Sequence, residues 1–434
     1  MPNSILKKKL QEIEHTGSLI GAPDWLIEEL TNPKHVFKMQ FRATVGGQLK
    51  LLTITRIHHR NPYPTGVQPF KGGIRYHPGA NEKLLTVLAM DMTEKCALAG
   101  LHFGGAKGGI AFDPTPCSEL ELRRITEQMT MELLKVNLPH PDIDVPGPDV
   151  GTNPTVMYWM YNKIAETNHY RNISDVAATV TGKPVEHNGV HGRENATSHG
   201  LLIQLKEFLR ISKMKLGSRP TVAIQGFGNV GSNIALLTQD ERFNFLNVVA
   251  VSDRQTGLYS SQGLDVISIK KWYDKNGTLA GFPSADKISN QELLELPVDI
   301  LVPAAIENQI TKENALRIKA PLISEGANEA ITTEANNMLA DRGTTVIPGI
   351  VANVGGVVVS YFEWRKNRGE RKHKVDFKEE EEWVQKKLTD IMHGVIHDVY
   401  TKSEEKKCSI PQAAHMLAME IMRGELRMKH SYTN

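Results

Sequence analysis

The sequence predicts an α/β fold of two domains, the second of which contains a doubly wound parallel sheet. Three observations support this prediction. The chain has 434 residues, which is long for one hydrophobic core. Short apolar runs alternate with helical patterns after Pro220, as in sheets whose parallel strands are joined by helices. A glycine-rich turn, GFGNVG at residues 226–231, joins one apolar run to a helical pattern.

The start of the chain mixes helices and strands. Residues 5–31 have the pattern of one or two amphipathic helices. Residues 37–45 and 49–57 alternate apolar and polar side chains on either side of a Gly-Gly turn, which predicts two paired strands. Alternation of strands, glycine turns and helices indicates an α/β or α+β first domain.

Two helix starts are marked by capping residues. Asn81 precedes a helical pattern over about residues 82–98, and Ser118 precedes one over about residues 119–136. The side chains of Asn and Ser accept hydrogen bonds from the free amides at the start of a helix. We therefore expect both residues to be N-caps.

The second half of the chain has the strand–helix alternation of a parallel sheet. Residues 221–225 predict a strand, and residues 230–239 predict the helix that follows the glycine turn. Further strands are expected at residues 246–252, 298–303, 321–325 and 345–348. After Phe362 the pattern is helical to the C-terminus.

The glycine turn has the spacing and the context of a dinucleotide site. Gly226 permits a tight turn, Gly228 lets the backbone approach a pyrophosphate, and Gly231 allows close contact between helix and strand. The helix N-terminus offers free amides and a positive dipole end to the anion. The predicted cofactor-binding residues of the turn are Gly226, Phe227, Gly228, Asn229, Val230 and Gly231.

The cofactor itself is suggested by the end of the next strand. Asp253 lies about twenty residues beyond the glycine turn, where a partner for the ribose 2′-hydroxyl is expected. A carboxylate there repels a 2′-phosphate, which favours NAD. Arg254 follows directly and could pair with that phosphate, so NADP stays possible.

Three lysines and one aspartate lie in glycine-rich segments of the first half. They are Lys71 in PFKGGIRYHP, Lys95 in MTEKCAL, Lys107 in GGAKGG and Asp149 in PDVGTNP. Glycine lets a substrate approach the backbone, and the lysine ammonium suits carboxylates. A buried lysine that is crowded by other cations has a lowered pKa and can act as a base. The segments therefore predict an anionic substrate held near a hydride carrier.

Composition argues against several other classes of function. The formal net charge is only +2, whereas nucleic-acid binding needs clustered positive charge. The basic run at residues 365–374 is soon followed by acidic residues 379–382 and is interpreted as a solvated loop before a helix. We expect neither nucleic acid nor membrane as a partner, since no run of about 18 apolar residues occurs.

The cysteines and histidines suggest neither disulfides nor a metal. The three cysteines form no CxxC pair, which fits a reducing compartment, and the N-terminus lacks the apolar run of a signal peptide. We therefore expect a cytoplasmic protein. His187, His191 and His199 have only loosely suitable spacing and no evident carboxylate partner, so no metal site is predicted.

Taken together, the segments resemble the glutamate/leucine/phenylalanine/valine dehydrogenase superfamily, and most closely its glutamate dehydrogenases. The resemblance runs from about residue 35 to the C-terminus. It rests on PFKGGIRYHP, MTEKCAL, GGAKGG, PDVGTNP, TGKP, GRENAT, GFGNVG, LVPAAIENQIT and the block ANVGGVVVSYFEW at residues 352–364.

The resemblance implies roles for the residues that match the family motifs. Lys71 and Ser360 are similar to the residues that hold the distal carboxylate of the substrate, and Lys95 to the ligand of its α-carboxylate. Lys107 and Asp149 look like the catalytic lysine and aspartate. Further matches are Gly73 and Met92, which would line the substrate pocket, and Thr197, Asn328 and Asn353, which would bind the cofactor.

The expected reaction is the reversible oxidative deamination of L-glutamate to 2-oxoglutarate and ammonia, with hydride transfer to NAD or NADP. The family fold implies a substrate-binding and oligomerisation domain at residues 1–185, completed by C-terminal helices at 365–434 that return to it. A Rossmann-type domain would occupy residues 186–364. Family members are usually hexamers, so a homohexamer is expected.

Two alternatives stay open on the sequence alone. The chain could be a dehydrogenase of another amino acid, although members that act on leucine or phenylalanine typically carry an apolar residue where Lys71 stands. It could also be a non-catalytic regulatory subunit of a mixed oligomer. The sequence departs from the family motifs at residues 186–193, at residues 329–330 and at Gly349. These differences keep that second alternative open.

Overall fold

The computed structural model describes residues 2–63, 66–167, 169–170, 172–370 and 377–424. Part of the basic run at residues 365–374 therefore lies outside the described residues. The chain divides into two compact units. The first unit comprises Met1–Arg193, Val357–Lys387 and His415–Asn434, and the second comprises Glu194–Gly356 and Leu388–Ala414.

The first unit is built on a five-stranded mixed sheet whose strand order is β1-β2-β4-β3-β5. β1 pairs with β2 and β2 with β4 in antiparallel fashion, whereas β3 pairs in parallel with β4 and β5. The elements are α1 (Pro2–Ile20), α2 (Asp24–Thr31), β1 (His35–Val45), β2 (Gln48–His58), β3 (Phe70–Tyr76), α3 (Glu82–Leu98), β4 (Gly104–Ile110), α4 (Glu119–Leu134), β5 (Asp144–Pro148), α5 (Pro154–Glu166) and α6 (Ile173–Ala178).

The predicted strand pair and both predicted helix caps are confirmed. The side chain of Asn81 accepts a hydrogen bond from the amide of Leu84 at the start of α3. Ser118 and Glu121 form a reciprocal capping box at the start of α4. The main core packs one face of the sheet against α4, α5 and α6, with Ile54, Ile74 and Met160 fully buried. This core holds the sheet rigid under the residues described below.

The second unit contains a seven-stranded sheet with the order β12-β11-β10-β6-β7-β8-β9. Five strands are parallel, and β8 and β9 add an antiparallel edge. Its elements are α7 (Ala196–Ser212), β6 (Thr221–Gln225), α8 (Asn229–Leu237), β7 (Asn247–Ser252), β8 (Gly257–Tyr259), α9 (Val266–Asn276), β9 (Asp286–Ile288), α10 (Asn290–Leu294), β10 (Ile300–Pro303), β11 (Leu322–Ser324), α11 (Thr333–Asp341), β12 (Thr345–Ile347) and α12 (Gly349–Ala352).

The order of the parallel strands confirms the doubly wound prediction. The chain moves from β6 outward to β7 on one side, and then from β10 to β12 on the other. In such sheets ligands bind beyond the carboxyl ends of the strands at the point where the order reverses. That point lies between β6 and β10, and the glycine turn directly follows β6.

Three helices complete the described chain: α13 (Gly355–Asn367), α14 (Phe377–Lys406) and α15 (Ile410–Met422). The first turn of α14 contains Glu379 and Glu380, where the helix dipole favours acidic side chains. Each of the three helices spans a boundary between the two units. Within the described ranges, no helix combines the length and the apolar character needed to cross a membrane.

Candidate functional site

The sheet of the first unit places the predicted substrate and catalytic residues on one face. Lys71 on β3 is opposite Gly105 on β4, and Lys107 follows two residues later on β4. Since alternate residues of a strand point to the same side, both lysines share a face. Asp149 directly follows β5, and the register of β5 against β3 continues this face to it.

The helix α3 covers this same face and carries Lys95 and Met92. A Cβ added at Gly105 would lie 2.1 Å from Oγ1 of Thr93 on α3, which places α3 directly over the sheet. Lys95 is buried in the last turn of α3, and Met92 is half-buried. Both residues therefore belong to the helix that packs against the strands carrying Lys71 and Lys107.

The glycines of these strands are required by close packing within the protein. A Cβ at Gly72 would lie 1.5 Å from the carbonyl oxygen of Ala106. One at Gly73 would lie 2.7 Å from Cβ of Asp149. Real side chains do not approach so closely, so Gly73 lets Asp149 lie directly beside β3.

Lys107 and Asp149 form an ion pair, and Arg75 completes it. Nζ of Lys107 lies 2.9 Å from Oδ1 of Asp149, and Nε of Arg75 donates to Oδ2 at 2.6 Å. Although burial acts to raise the pKa of Asp149, the charges and hydrogen bonds of Lys107 and Arg75 lower it far below its usual range. Asp149 is therefore an oriented, ionised carboxylate in direct contact with a buried amine.

Arg75 was missed in the sequence analysis, although it lies in the quoted segment PFKGGIRYHP. Its spacing from Lys71 is the only signal that the sequence offered. Residues four apart on a strand share a face, and Lys71 and Arg75 are four apart on β3. The partner of Arg75 is 74 residues away along the chain, and this distance hid the contact.

Lys71 is a buried ammonium group without a protein partner. It is 3% exposed, and among the described residues none makes a hydrogen bond or an ion pair with its Nζ. Burial, together with the charges of Arg193 and Arg56, lowers the pKa of Lys71 to about 7 against the opposing charge of Glu363. A buried cation in this state is stabilised by any carboxylate that reaches it.

The ammonium group of Lys71 lies close to Gly147 and to Thr181. A Cβ at this residue would lie 2.8 Å from Nζ of Lys71 and 3.3 Å from Oγ1 of Thr181. Oγ1 of Thr181 and Nε of Arg193 are both buried and have no hydrogen-bond partner among the described residues. Two buried polar groups without a partner thus lie near Lys71. Ser360 is buried on α13 in the same unit.

Glu363 links two of the quoted sequence motifs. Its carboxylate accepts from Nζ of Lys183 at 2.7 Å and from the amide of Gly182 at 2.7 Å. Both side chains of this ion pair are fully buried. The contact joins the TGKP segment, which contains Thr181, to the helix that carries Ser360. The two side chains are 180 residues apart in the chain, so the motifs alone do not reveal the contact.

The glycine turn of the second unit has the geometry that its sequence predicts. Gly226 has φ +93°, a conformation that favours glycine. A Cβ at Gly231 would lie 1.8 Å from the carbonyl oxygen of Gly226, so this glycine brings α8 against the turn. Gly228 precedes α8 and is open, with no atom within 4 Å of an added Cβ. The cradle and its free helix N-terminus fit a dinucleotide pyrophosphate.

The other residues of the turn are anchored inside the second unit. Phe227 is buried and packs edge-on against Tyr273 of α9, with ring centroids 5.4 Å apart. The carbonyl oxygen of Val230 accepts from Oγ of Ser198 at 2.8 Å. Asn229 begins α8. These contacts fix the turn to both α7 and α9.

The remaining predicted cofactor residues fall into two groups. Nδ2 of Asn353 donates to Oδ1 of Asn328 at 3.0 Å, so these two asparagines lie together. Thr197 lies in the first turn of α7, next to Ser198, which donates the hydrogen bond to the glycine turn described above. Asp253 follows the end of β7 with its carboxylate already engaged by neighbouring donors, and Arg254 is exposed beside it.

The segment at residues 186–193 is held by contacts within the first unit. The ring of His187 stacks on Tyr158 at 3.9 Å between centroids, and Asn188 adopts a left-handed conformation at φ +67°. The amide of His191 donates to Glu380 at 3.2 Å. In the part of the chain that the structure describes, no group of three or more His, Cys, Asp or Glu side chains is arranged to hold a metal ion.

Comparison with known proteins agrees with this arrangement. Residues 188–428 match the family model for Glutamate/Leucine/Phenylalanine/Valine dehydrogenase, and residues 33–166 match the model for the dimerisation domain of Glu/Leu/Phe/Val dehydrogenase. Together the two matches cover most of the chain.

Individual relatives match over nearly their full length. A glutamate dehydrogenase of Thermotoga maritima is 38% identical over 96% of this chain and 96% of its own. A cryptic catabolic NAD-specific glutamate dehydrogenase of Bacillus subtilis is 36% identical over 98% of this chain and 96% of its own.

A solved structure has the same fold. The hetero-hexameric glutamate dehydrogenase from Thermus thermophilus, in its Leu-bound form, superposes with a TM-score of 0.86 at 29% identity, over 98% of this chain and 96% of that one. The family matches, the relatives and the shared fold lead to one conclusion. The chain belongs to the glutamate/leucine/phenylalanine/valine dehydrogenase family.

Proposed function

We propose that the chain catalyses the reversible oxidative deamination of L-glutamate to 2-oxoglutarate and ammonia, with NAD as the hydride acceptor. The observation that carries the substrate assignment is the buried, unpartnered ammonium group of Lys71. The curated relatives named glutamate dehydrogenase support the same reaction.

The substrate is bound through its two carboxylates. Lys71 and Ser360 hold the distal carboxylate, and Lys95 holds the α-carboxylate. An aliphatic side chain in place of the distal carboxylate would leave Lys71 buried without a counter-charge, which costs several kcal/mol by order of magnitude. Discrimination by a polar group left unpaired reaches about 10⁴-fold. Gly73 and Met92 line the same pocket.

The protons are handled by Lys107 and Asp149. In the overall reaction L-glutamate, water and NAD⁺ give 2-oxoglutarate, ammonium, NADH and a proton. Bound NAD supplies the acceptor for the hydride that leaves Cα of the substrate. Lys107 then activates the water that attacks the resulting iminium carbon, and Asp149 shuttles protons to and from the substrate nitrogen.

The ion pair places the two groups within proton-transfer distance of each other, at 2.9 Å. It also stabilises the charged form of Lys107 in the free enzyme, so the proposed base must lose a proton before it activates the water. Arg75 fixes the carboxylate in the free enzyme. That Lys107 is neutral at the moment of attack stays a prediction from the sequence.

The cofactor is held in the second unit. We assign the glycine turn at residues 226–231 to the pyrophosphate, Thr197 and Asn328 to the neighbourhood of the nicotinamide, and Asn353 to cofactor binding. The NAD-specific relative supports NAD over NADP. NADP stays possible because Arg254 is exposed beside Asp253.

The domains, the assembly and the location are proposed on the same basis. Substrate binding and oligomerisation belong to residues 1–185 with 365–434, and dinucleotide binding belongs to residues 186–364. The dimerisation-domain match and the hetero-hexameric relative support an oligomer, and we propose a homohexamer of this chain. Its three free cysteines suit the cytoplasm. Mass photometry of the purified chain alone distinguishes a homohexamer from a mixed assembly.

The first test is the initial rate of nicotinamide reduction by the purified chain. NAD⁺ and NADP⁺ are supplied separately, with L-glutamate, L-leucine or L-phenylalanine as the substrate. Turnover with glutamate alone is expected. Turnover with leucine instead would establish the other-amino-acid alternative. No turnover until a second chain is added would establish the regulatory-subunit alternative.

A variant sharpens the substrate assignment. We expect Lys71→Met to lower kcat/KM for L-glutamate by about 10³-fold or more and to raise it for L-leucine, because the buried charge is replaced by an apolar side chain. Lys50→Met, at an exposed position of β2, is the matched control and should leave both values unchanged. A Lys71→Met enzyme that keeps its glutamate preference would refute this role.

A further inference from the structure

The carboxylate of Asp253 lies where a ribose partner is expected, but it is fully occupied by the protein. Its Oδ1 accepts from the amides of Gln255 at 2.7 Å and Thr256 at 2.9 Å. Its Oδ2 accepts from Oγ1 of Thr278 at 2.7 Å and from the amide of Leu279 at 2.6 Å. An ionised carboxylate has about four acceptor positions, so none is left for a ribose hydroxyl.

The pKa of Asp253 is consistent with this pattern. Burial acts to raise the pKa, but the hydrogen bonds from Leu279, Thr278, Thr256 and Gln255 lower it below the usual range of an aspartate. The donors therefore stabilise the charged form. To bind a ribose, this side chain would have to give up at least one of these bonds.

The donors on Oδ2 belong to the end of α9. Gly277 ends this helix in a left-handed conformation at φ +70°, and Thr278 and Leu279 follow directly. Asp253 thus fastens the C-terminal end of α9 to the end of β7. Nδ2 of Asn290 adds a hydrogen bond to the carbonyl oxygen of Asp253 at 2.8 Å.

The same helix supports the glycine turn. Tyr273 of α9 packs against Phe227, which lies between Gly226 and Gly228. Displacement of α9 would therefore move the part of the turn that faces the pyrophosphate. A continuous set of contacts joins Asp253 to the dinucleotide cradle without a contact between Asp253 and the ligand.

We propose that Asp253 is a positioning residue, which fixes α9 behind the glycine turn, and that it does not bind the 2′-hydroxyl of the cofactor. This inference rests on the proposed function for the identity of the ligand. It replaces the ribose contact expected from the sequence. The preference between NAD and NADP is then not set by a hydrogen bond that the ribose donates to this carboxylate.

The test is a double-mutant cycle on dinucleotide affinity. Calorimetry measures the binding of NAD⁺ and of 2′-deoxy-NAD⁺ to the wild-type chain and to Asp253→Asn, at a temperature where both are folded. Asn cannot accept four donors, so we expect both ligands to be weakened by the same factor, about tenfold. Loss of affinity for NAD⁺ alone, with 2′-deoxy-NAD⁺ unaffected, would show a direct bond to the 2′-hydroxyl and overturn the proposal.

Two further variants separate positioning of the turn from general stability. Thr278→Val removes one donor without altering the charge, so it should also weaken both dinucleotides and lower the melting temperature of the ligand-free protein. Asp265→Ala removes the side chain that caps the other end of α9. It should lower the melting temperature by a few degrees and leave dinucleotide affinity unchanged. If Asp253→Asn behaves like Asp265→Ala, with affinity unchanged, the positioning role is refuted.

These measurements do not depend on turnover. A chain that binds NAD⁺ but does not oxidise L-glutamate would contradict the proposed function, and the cycle would still decide the role of Asp253. Conversely, the chain could prove to be an active glutamate dehydrogenase in which Asp253→Asn weakens NAD⁺ tenfold more than 2′-deoxy-NAD⁺. That result would refute only this inference.

Discussion

Two glycine-rich regions of the chain have similar composition and opposite uses. In the strands β3 and β4 the glycines make room for the protein itself, because a Cβ at Gly72 would lie 1.5 Å from the carbonyl oxygen of Ala106. In the turn after β6, Gly228 has no atom within 4 Å of an added Cβ. The first region is closed by its own packing, whereas the turn, although Gly231 also makes room for the protein, leaves open space at Gly228. Glycine content alone therefore does not reveal a binding loop.

The closed region holds the proposed catalytic residues. Close packing of β3, β4 and β5 brings Arg75, Lys107 and Asp149 into contact, and it buries Lys71 nearby. Burial then sets the charge states, because a low-dielectric environment strengthens each ion pair and penalises each unpaired charge. The open region offers backbone amides and a helix N-terminus, which need space more than they need burial.

The largest effect is expected from Gly72→Ala. The methyl group would overlap a backbone oxygen that cannot move without separating β3 from β4, so we expect a loss of stability of at least about 3 kcal/mol. Thermal unfolding followed by circular dichroism measures it. Gly217→Ala is the control, since nothing lies within 4 Å of its added Cβ. Equal melting temperatures for the two variants would contradict the close packing of these strands.

Lys107→Ala should remove turnover while leaving the fold intact. The lysine is the proposed base, and loss of a positioned acid or base typically costs 10²- to 10⁴-fold, so we expect kcat to fall by about 10³-fold. NAD⁺ affinity, measured by calorimetry, should not change because the cradle lies in the second unit. Lys50→Ala serves as the control. A Lys107→Ala enzyme with substantial turnover would show that another group activates the water.

Gly228→Ala should weaken NAD⁺ binding while leaving the stability of the protein unchanged. Its φ of −74° suits alanine, and the surrounding space is empty, so the melting temperature of the ligand-free protein should change little. The methyl group would occupy space that the pyrophosphate needs, which we expect to weaken NAD⁺ binding by about 10- to 100-fold. Unchanged affinity would mean that the cofactor does not approach this glycine.

The sequence predicted the open region better than the closed one. Residues 221–231 carry a local signal, since strand, glycine spacing and helix follow one another, and the structure confirms all three. The strands β3 and β4 were not assigned from the sequence, because FKGGIRY and GGAKGGI resemble turns when their neighbours are unknown. Only the packed sheet shows why glycine is required there.

Long-range partners were also beyond the sequence analysis. Asn81 and Ser118 were predicted as caps because the groups they bond lie within one helical turn. Arg75 and Glu363 form hydrogen bonds with residues that are 74 and 181 positions away in the chain. No local sequence pattern encodes such a separation. Asp253 is the converse case, because its position matches a motif while its hydrogen bonds support the different role proposed above.

The smallest expected effect is a pH dependence of ligand binding in the closed region that the open region lacks. Burial lowers the pKa of Lys71 to about 7, so the ammonium form that binds a carboxylate dominates below this pH and is lost as the pH rises through it. Affinity for glutarate, a dicarboxylate without an amino group, should be nearly constant below the pKa and fall by about tenfold per pH unit above it. Calorimetry at several pH values measures this.

Lys71→Met should bind glutarate weakly and without a break near pH 7, whereas NAD⁺ affinity should show no break in either protein. A break that persists in Lys71→Met would assign the titration to a different group, and its absence from the wild type would mean that Lys71 keeps its charge without a partner.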